Sequence, residues 1–334
     1  MSEILKRKTD HIDLVLKQRQ ETQAQISPWD EIQLTHNALP EKDVLCFDLS
    51  TEFLGKRLRM PFLISSMTGG PFKAERINAH LAEAAQELGI ALGVGSQRIA
   101  LLSAGSSGLN EQLRKWAPSI PLYANLGAAQ LREDFSLADI QRAVDMIEAD
   151  ALIIHLNCLQ EMMQEDGDTD WRGLLAAIEI LTDRIGIPVI AKEVGMGISA
   201  ATAVRLVNAG VQAIDVAGKG GTNFIQVEAS RSANAKIRAL GEVFKDWGIT
   251  TPDAVTAVRA SLPNIPLIAS GGIRHGLDAA KAIKLGANIV AQAGPVLQAA
   301  TESTQAVLDH FDIMESALRI GLACSEDLPL DKAS

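Results

Sequence analysis

Aromatic side chains are scarce in this chain: eight Phe, four Trp and one Tyr among 334 residues, while 47% of the residues are hydrophobic. A core built from Ala, Leu, Ile and Val suits a barrel packed from branched aliphatics better than a β-sandwich. A basic excess is also missing, since 31 Lys and Arg face 41 Asp and Glu for a net charge of −10. That balance excludes a general nucleic-acid binder, which needs a basic footprint. A phosphorylated ligand stays possible if cations, backbone N–H groups or a metal gather at one place. Cysteine is rare: Cys46, Cys158 and Cys324 are far apart, with no C-x-x-C pair. A disulfide framework or structural zinc site is therefore not expected, and a reducing compartment fits. No run of 18 apolar residues exists, and the opening MSEILKRKTDHIDLVLKQRQ has no unbroken apolar stretch. The expectation is a soluble cytoplasmic protein with no signal peptide and no membrane partner.

What is present is a repeat. Short apolar runs occupy residues 62–66, 91–96, 122–126, 151–157, 189–193, 213–217, 267–270 and 289–293. Each is nearly continuous in hydrophobicity, as parallel strands buried on both faces are. Helical patterns lie between them. Ile77, Leu81, Ala84, Ala85 and Leu88 share one helical face that ends at Gly89. Ser199 caps a predicted helix carrying Ala203, Leu206 and Val207 and stopped by Gly210. Strands alternating with helices, eight times over, predict an α/β fold of the (β/α)8 TIM barrel type. A doubly wound sheet is the rival, but no G-x-G-x-x-G follows the first strand. Three regions follow: an N-terminal extension over 1–60 that closes the site, the barrel over 61–322 and a tail over 323–334. The stretch 218–251 reads as a long insertion after the sixth strand, on the face where such loops cover active sites.

Barrel enzymes work at the C-terminal ends of their strands, and unusual residues gather there. The seventh and eighth strands end in Gly271-Gly272 and Ala293-Gly294, with a predicted helix starting at Gly276. Exposed backbone donors and a helix N-terminus at this place suit a phosphate. Lys192 closes a buried strand and needs an anion; adjacent Glu193 points to the other face, so a ligand anion is the expected partner. A flavin hydroquinone anion, a phosphate or a Schiff base would serve. His155 and Asn157 share a face by the strand period and point into the mouth. Gln160 and Glu161 follow in the next loop, where Glu161 could hold Mg²⁺. Arg98 sits at the mouth after the second strand, and Arg7-Lys8 is the weakest signal taken alone.

Several segments together carry a resemblance. They are R-K-T-D-H-I from Arg7, S-M-T-G-G from Ser66, G-S-Q-R from Gly95, H-L-N-x-x-Q-E from His155, K-E-V-G from Lys192 and A-S-G-G-I-R from Ala269. In order and spacing, from residue 7 to about 294, the chain resembles type 2 isopentenyl-diphosphate isomerase. The resemblance implies an FMN barrel that interconverts isopentenyl and dimethylallyl diphosphate, with FMN reduced by NAD(P)H and without net redox change. It implies that Ser66, Met67, Thr68, Ser96, Asn125, Lys192, Thr222, Gly271, Gly272, Arg274, Ala293 and Gly294 line FMN. Arg7, Lys8, Ser96, Gln97, Arg98, His155, Asn157 and Gln160 would face the diphosphate substrate. Gln160, His155 and Asn157 would be catalytic, Glu161 would hold Mg²⁺, and the assembly would be a homo-oligomer, a tetramer or octamer. The alternative is another FMN barrel, a 2-hydroxy-acid oxidase or a dihydroorotate dehydrogenase-like oxidoreductase. The first would need a His base that this chain lacks between His155 and His275, and a G-R pair where Gly294-Pro295 stands. A dehydrogenase of the inosinate type would need a cysteine in a glycine-rich loop, and no cysteine lies in one. A flavin-storing barrel would not need His155, Gln160 and Glu161.

Overall fold

The computed structural model describes residues 14, 27–41, 43–44, 47–67, 73–102, 109–132 and 135–327. Two short strands come first, β1 (Thr51–Phe53) and β2 (Lys56–Leu58), paired antiparallel. Eight parallel strands then close the predicted barrel. They are β3 (Phe62–Ile64), β4 (Ala91–Gly93), β5 (Leu122–Gly127), β6 (Ala151–Leu156), β7 (Val189–Glu193), β8 (Ala213–Asp215), β9 (Leu267–Ser270) and β10 (Ile289–Gln292), with β10 pairing back to β3. The observed strands match the apolar runs read from the sequence, less a residue or more at some ends.

Strand alternation divides the barrel's side chains into two sets. Phe62, Ile64, Leu152, Ile154, Val189, Ala191 and Ile214 belong to the large cluster shared with the surrounding helices. Leu63, Ala91, Tyr123, Ala151, Ile153, Ile190, Ala213, Ile268 and Ile289 fill the lumen as a separate cluster. Two residues beyond each lumen member, the same face continues upward. Above Tyr123 stands Asn125, above Ile153 His155, above Ile190 Lys192, above Ala213 Asp215 and above Ile268 Ser270. An apolar plug therefore carries a polar layer at its C-terminal end, and this layer is the floor of the site.

The extension does more than the closing role expected of residues 1–60. Phe53 and Leu58 of the β1–β2 hairpin join the lumen cluster and are 2% and 0% exposed. The neighbouring contacts fix which end they occupy: Arg59 N–H donates to Gly89 O, and Lys56 pairs with Asp150 at 2.9 Å, both beside strand starts. This hairpin stoppers the bottom of the barrel. A second piece, the 3-10 helix Pro28–Glu31, lies at the opposite end, where the Trp29 indole N–H donates to Gly271 O at 3.3 Å. Ser27 caps that helix and Asp30 returns the bond to the Ser27 N–H, a reciprocal cap.

The insertion over 218–251 is ordered as two helices, Phe224–Arg231 and Ala235–Phe244, before the barrel resumes with the helix Thr251–Ser261. The chain ends its described part with the helix Thr304–Ala323. No helix among the described residues is long and apolar enough to cross a membrane.

If the hairpin is the lower stopper, Phe53→Ala opens a cavity under the lumen and lowers stability by about 3–5 kcal/mol, the usual cost of such a truncation. Urea unfolding checks this.

Candidate active site

Register brings the polar layer into one row. Gly127 on β5 is level with His155 on β6, His155 with Lys192 on β7, and Lys192 with Asp215 on β8. Glycine at 127 leaves room for its neighbours, since a Cβ would lie 2.9 Å from His155 Nε2 and closer still to Gln130 Oε1 and would push these side chains aside. His155 Nδ1 is 2.7 Å from Asn125 Oδ1, and the Asn125 amide N–H donates to Val94 O at 3.0 Å. That second bond orients the amide, so the atom facing His155 is an oxygen and Nδ1 carries the proton.

Lys192 has a protein partner, which corrects the expectation of a ligand anion. Its ammonium donates to Asp215 Oδ2 at 2.8 Å and lies 3.4 Å from Ser270 Oγ, and Ser270 Oγ–H donates to Asp215 Oδ1 at 2.5 Å. Asp215 and Lys192 are 1% and 7% exposed. Asp215 stands out in the apolar run of β8, and strand counting places it level with Lys192; that was the available signal.

On the other side of the mouth the strand β6 runs into the short helix Cys158–Met162. Asn157 Nδ2 donates to Glu161 Oε1 at 2.7 Å, and the Asp168 N–H donates to Glu161 Oε2 at 3.3 Å. Gln160 Nε2 donates to Glu228 Oε1 at 2.8 Å, as Gln164 Nε2 does at 3.2 Å, while Arg231 pairs with Glu228 Oε2 at 2.9 Å. Glu228, 2% exposed, comes from the insertion helix Phe224–Arg231. Sequence reasoning missed it, since only the i,i+3 pairing with Arg231 marks it and such pairs are common on helix surfaces. Glu193 turns to the loop after β7, where its Oε2 accepts the N–H groups of Val194, Gly195, Met196 and Gly197 at 2.5–3.2 Å. Burial pushes its carboxyl up to about 7 against the pull of those four amides.

The loops after β8, β9 and β10 meet on the other side of the mouth. Gly271 and Gly272 take φ of 101° and 71°, the left-handed region that favours glycine. A Cβ on Gly272 would meet Gly220 O at 2.6 Å, so the two loops touch backbone to backbone. The helix with bare donors differs from the one read in the sequence. The helix Gly276–Lys284 is closed by the His275 side chain, which accepts the Asp278 N–H. The helix Gly294–Glu302 has no side-chain cap, and a Cβ on Gly294 would meet nothing nearer than Thr222 Oγ1 at 3.5 Å. Pro295 has no N–H and the Val296 N–H returns to Ala293 O at 3.1 Å, so the Gly294 N–H, beside a hydroxyl and open space, is the first-turn donor left for an anionic phosphate. The buried Ser66 Oγ at the end of β3 has no hydrogen-bond partner among the described residues, as expected of an atom that a ligand completes. On these observations the residues present fit a phosphorylated cofactor.

Other expected site residues fall elsewhere. Gln97, expected at the substrate, is 0% exposed and lies behind the strands: its Nε2 donates to Ala143 O at 2.8 Å and its Oε1 accepts the Asn125 N–H at 3.0 Å. A buried glutamine amide needs a partner on each end, and the backbone between strand and helix supplies one to the nitrogen and one to the oxygen. Arg274 is taken up by carboxylates, donating to Asp278 at 2.9 Å and to Asp30 at 2.6 Å. That guanidinium, with the Ser27 N–H, holds the Asp30 carboxyl down at about 2. Ser96 and Arg98 stand at the end of β4, where Arg98 opens the helix Arg98–Leu102. Met67 and Ala293 lie at the ends of β3 and β10. Arg7, Lys8 and Thr68 lie outside the described residues.

Comparison with known proteins bears on this arrangement. A family model described as FMN-dependent dehydrogenase matches residues 2–117 and 134–325. An isopentenyl-diphosphate delta-isomerase of Stutzerimonas stutzeri is 56% identical over 322 residues, 96% of this chain and 93% of the relative. One from Nostoc sp. is 48% identical over 326 residues, 98% of this chain and 93% of the relative. Among solved structures, an active chimera of (S)-mandelate dehydrogenase superposes with a TM-score of 0.66 at 17% identity, over 96% of this chain and 89% of that one. A mandelate oxidase gives 0.62 at 17%, over 95% and 87%. At that identity the likeness is one of fold. The chain belongs to the FMN-dependent dehydrogenase family, among its isopentenyl-diphosphate delta-isomerases of type 2.

Proposed function

We propose that the mouth of this barrel interconverts isopentenyl and dimethylallyl diphosphate by a 1,3-allylic proton shift on bound FMN. The observation that carries this reading is a rim with two unlike halves. One half is the uncapped helix Gly294–Glu302 beside the Gly271-Gly272 loop. The other is the row His155, Asn157, Gln160 and Glu161, polar groups that a flavin alone does not require. The relatives named isopentenyl-diphosphate delta-isomerase support it. Reduced FMN, supplied with electrons by NAD(P)H, would provide a group beside the alkene able to give and take a proton.

The chain's own residues do the positioning. His155, whose Nδ1–H is held by Asn125, would meet a diphosphate oxygen through Nε2 as the imidazolium, in which both ring nitrogens donate. Arg98, with Arg7 and Lys8 from the extension, would neutralise the remaining charge. Glu161 keeps a lone pair on each carboxylate oxygen beyond its bonds to Asn157 and the Asp168 amide. No cluster of three His, Cys, Asp or Glu side chains able to hold a metal occurs among the described residues. Mg²⁺ takes most of its ligands from water and phosphate, so one carboxylate suffices, and Glu161 would hold it against the diphosphate. Gln160 is aimed by Glu228, which takes its amide nitrogen and leaves the amide oxygen toward the five-carbon chain. An amide is a poor base, so Gln160 orients the substrate rather than moving its proton. The enzyme would work as a homo-oligomer, tetramer or octamer, in the cytoplasm, with no nucleic acid or membrane partner.

Purified protein should be yellow, and acid should release FMN rather than FAD; colourless protein that cannot be reconstituted with FMN ends this reading. In D₂O with reduced FMN and Mg²⁺, product should carry deuterium while NAD(P)H consumption stays far below turnover. Reductant used one-for-one with substrate would make the protein an oxidoreductase. Gln160→Leu should lower kcat about ten- to hundredfold, the worth of an aligned hydrogen bond or two, with FMN content unchanged. Glu161→Gln should raise the Mg²⁺ needed for half-maximal activity about tenfold or more, since a bond to a charged group is worth about 1.5–3 kcal/mol. An equal Mg²⁺ dependence in mutant and parent would place the metal elsewhere.

A further inference from the structure

Asp215 is a carboxylate enclosed by three strands. Its Oδ2 accepts the Lys192 ammonium of β7 at 2.8 Å, and its Oδ1 accepts the Ser270 hydroxyl of β9 at 2.5 Å. Oδ1 also accepts the Ala217 N–H at 3.3 Å. Ala217, a residue with a side chain, is held at φ 36°, the start of the turn into Gly218-Lys219-Gly220-Gly221-Thr222. The carboxylate therefore touches the ammonium on one side and the roots of both phosphate loops on the other. Solvent cannot take any of these places, because Asp215 is 1% exposed. The resemblance places Lys192 against FMN, and it leaves Asp215 without a task.

We propose that Asp215 is a positioning residue for the flavin reaction: it aims the Lys192 ammonium at the ring and sets how much positive charge the ring meets. The proposal rests on the assignment of FMN to this mouth with Lys192 facing it. A bare ammonium against a flavin would favour the reduced, anionic ring strongly, because an opposite charge a few ångströms away stabilises the charged form. Pairing with Asp215 makes Lys192 one end of a dipole, so the ring meets an attenuated charge from a fixed direction. The loop contacts add a second consequence. The same carboxylate ties ammonium and phosphate loops together, so the ring and the phosphate end of the cofactor are held at one relative placement.

The test is the midpoint potential of bound FMN in a double-mutant cycle, with FMN content measured alongside. Asp215→Asn leaves Lys192 without its counter-charge, and reduced FMN should gain about tenfold in affinity relative to oxidised FMN, a rise of about 30 mV for two electrons. In a Lys192→Met background there is no ammonium left for Asp215 to aim or attenuate, so Asp215→Asn should shift the ratio clearly less than it does beside Lys192. An unchanged potential on Asp215→Asn, or an equal rise in both backgrounds, overturns the proposal. Should Asp215→Asn hold no flavin, Ser270→Ala decides. It keeps both charges but removes the hydroxyl that shares the carboxylate, and the ratio should fall about threefold; a parental ratio overturns the proposal. A colourless parent would instead remove the FMN assignment, which separates the two failures.

Discussion

Taking a charged group out of water costs several kcal/mol unless an opposite charge and further hydrogen bonds replace the solvent. The upper layer of this barrel contains one such exchange, and its neighbours are arranged around it. Lys192 and Asp215 stand level on adjacent strands and close on each other at 2.8 Å, with Ser270 filling the remaining acceptor. Because both partners are locked by sheet register, the pair cannot relax by turning toward solvent. The row that contains it continues through His155 to Gly127, so the same hydrogen-bonded ladder fixes the height of the imidazole. Displacing any strand by one residue would turn the layer's side chains into the helix interface.

An excess of acidic residues is compatible with an anionic ligand because the groups that would meet it are local. At the phosphate end the donors are backbone amides, which carry no net charge and need no counter-ion. Their exposure depends on two loops approaching more closely than side chains allow, as Gly220 and Gly272 do. At the opposite rim Glu161 and Glu228 are each held by neighbouring donors, Asn157 and the Asp168 amide for one, Gln160, Gln164 and Arg231 for the other. The rim thus keeps two buried carboxylates close together by giving each its own donors.

The strands were legible in the sequence because both of their faces are apolar, and the polar layer was legible because it interrupts them. His155 and Lys192 could be placed at the mouth from strand position alone. Their partners were harder. Asp215 needs the register of β7 against β8, which depends on barrel closure rather than on either segment. Glu228 needs the path of the insertion, whose helices fold back over the helix Cys158–Met162. Gln97 entered through the resemblance, and its buried place is not visible in the sequence: the chain turns after β4 and its amide is drawn into the gap behind β5 by Ala143 O and the Asn125 N–H. The carboxylate partners of Arg274, Asp30 and Asp278, lie in segments whose positions are tertiary. The hairpin at the barrel's lower end had no signal distinct from the rest of the extension.

The docking of Trp29 on Gly271 joins residues 242 positions apart, and Thr35 meets Asp327 across 292. Contacts of that span are late contacts in folding, since the intervening chain has to be ordered before they gain anything. During synthesis residue 29 leaves the ribosome long before β9 exists to receive it. The barrel wall can be closed, and its lower end stoppered by Phe53, while the mouth still lacks its rim. A segment made late is therefore the one that lets a segment made early settle.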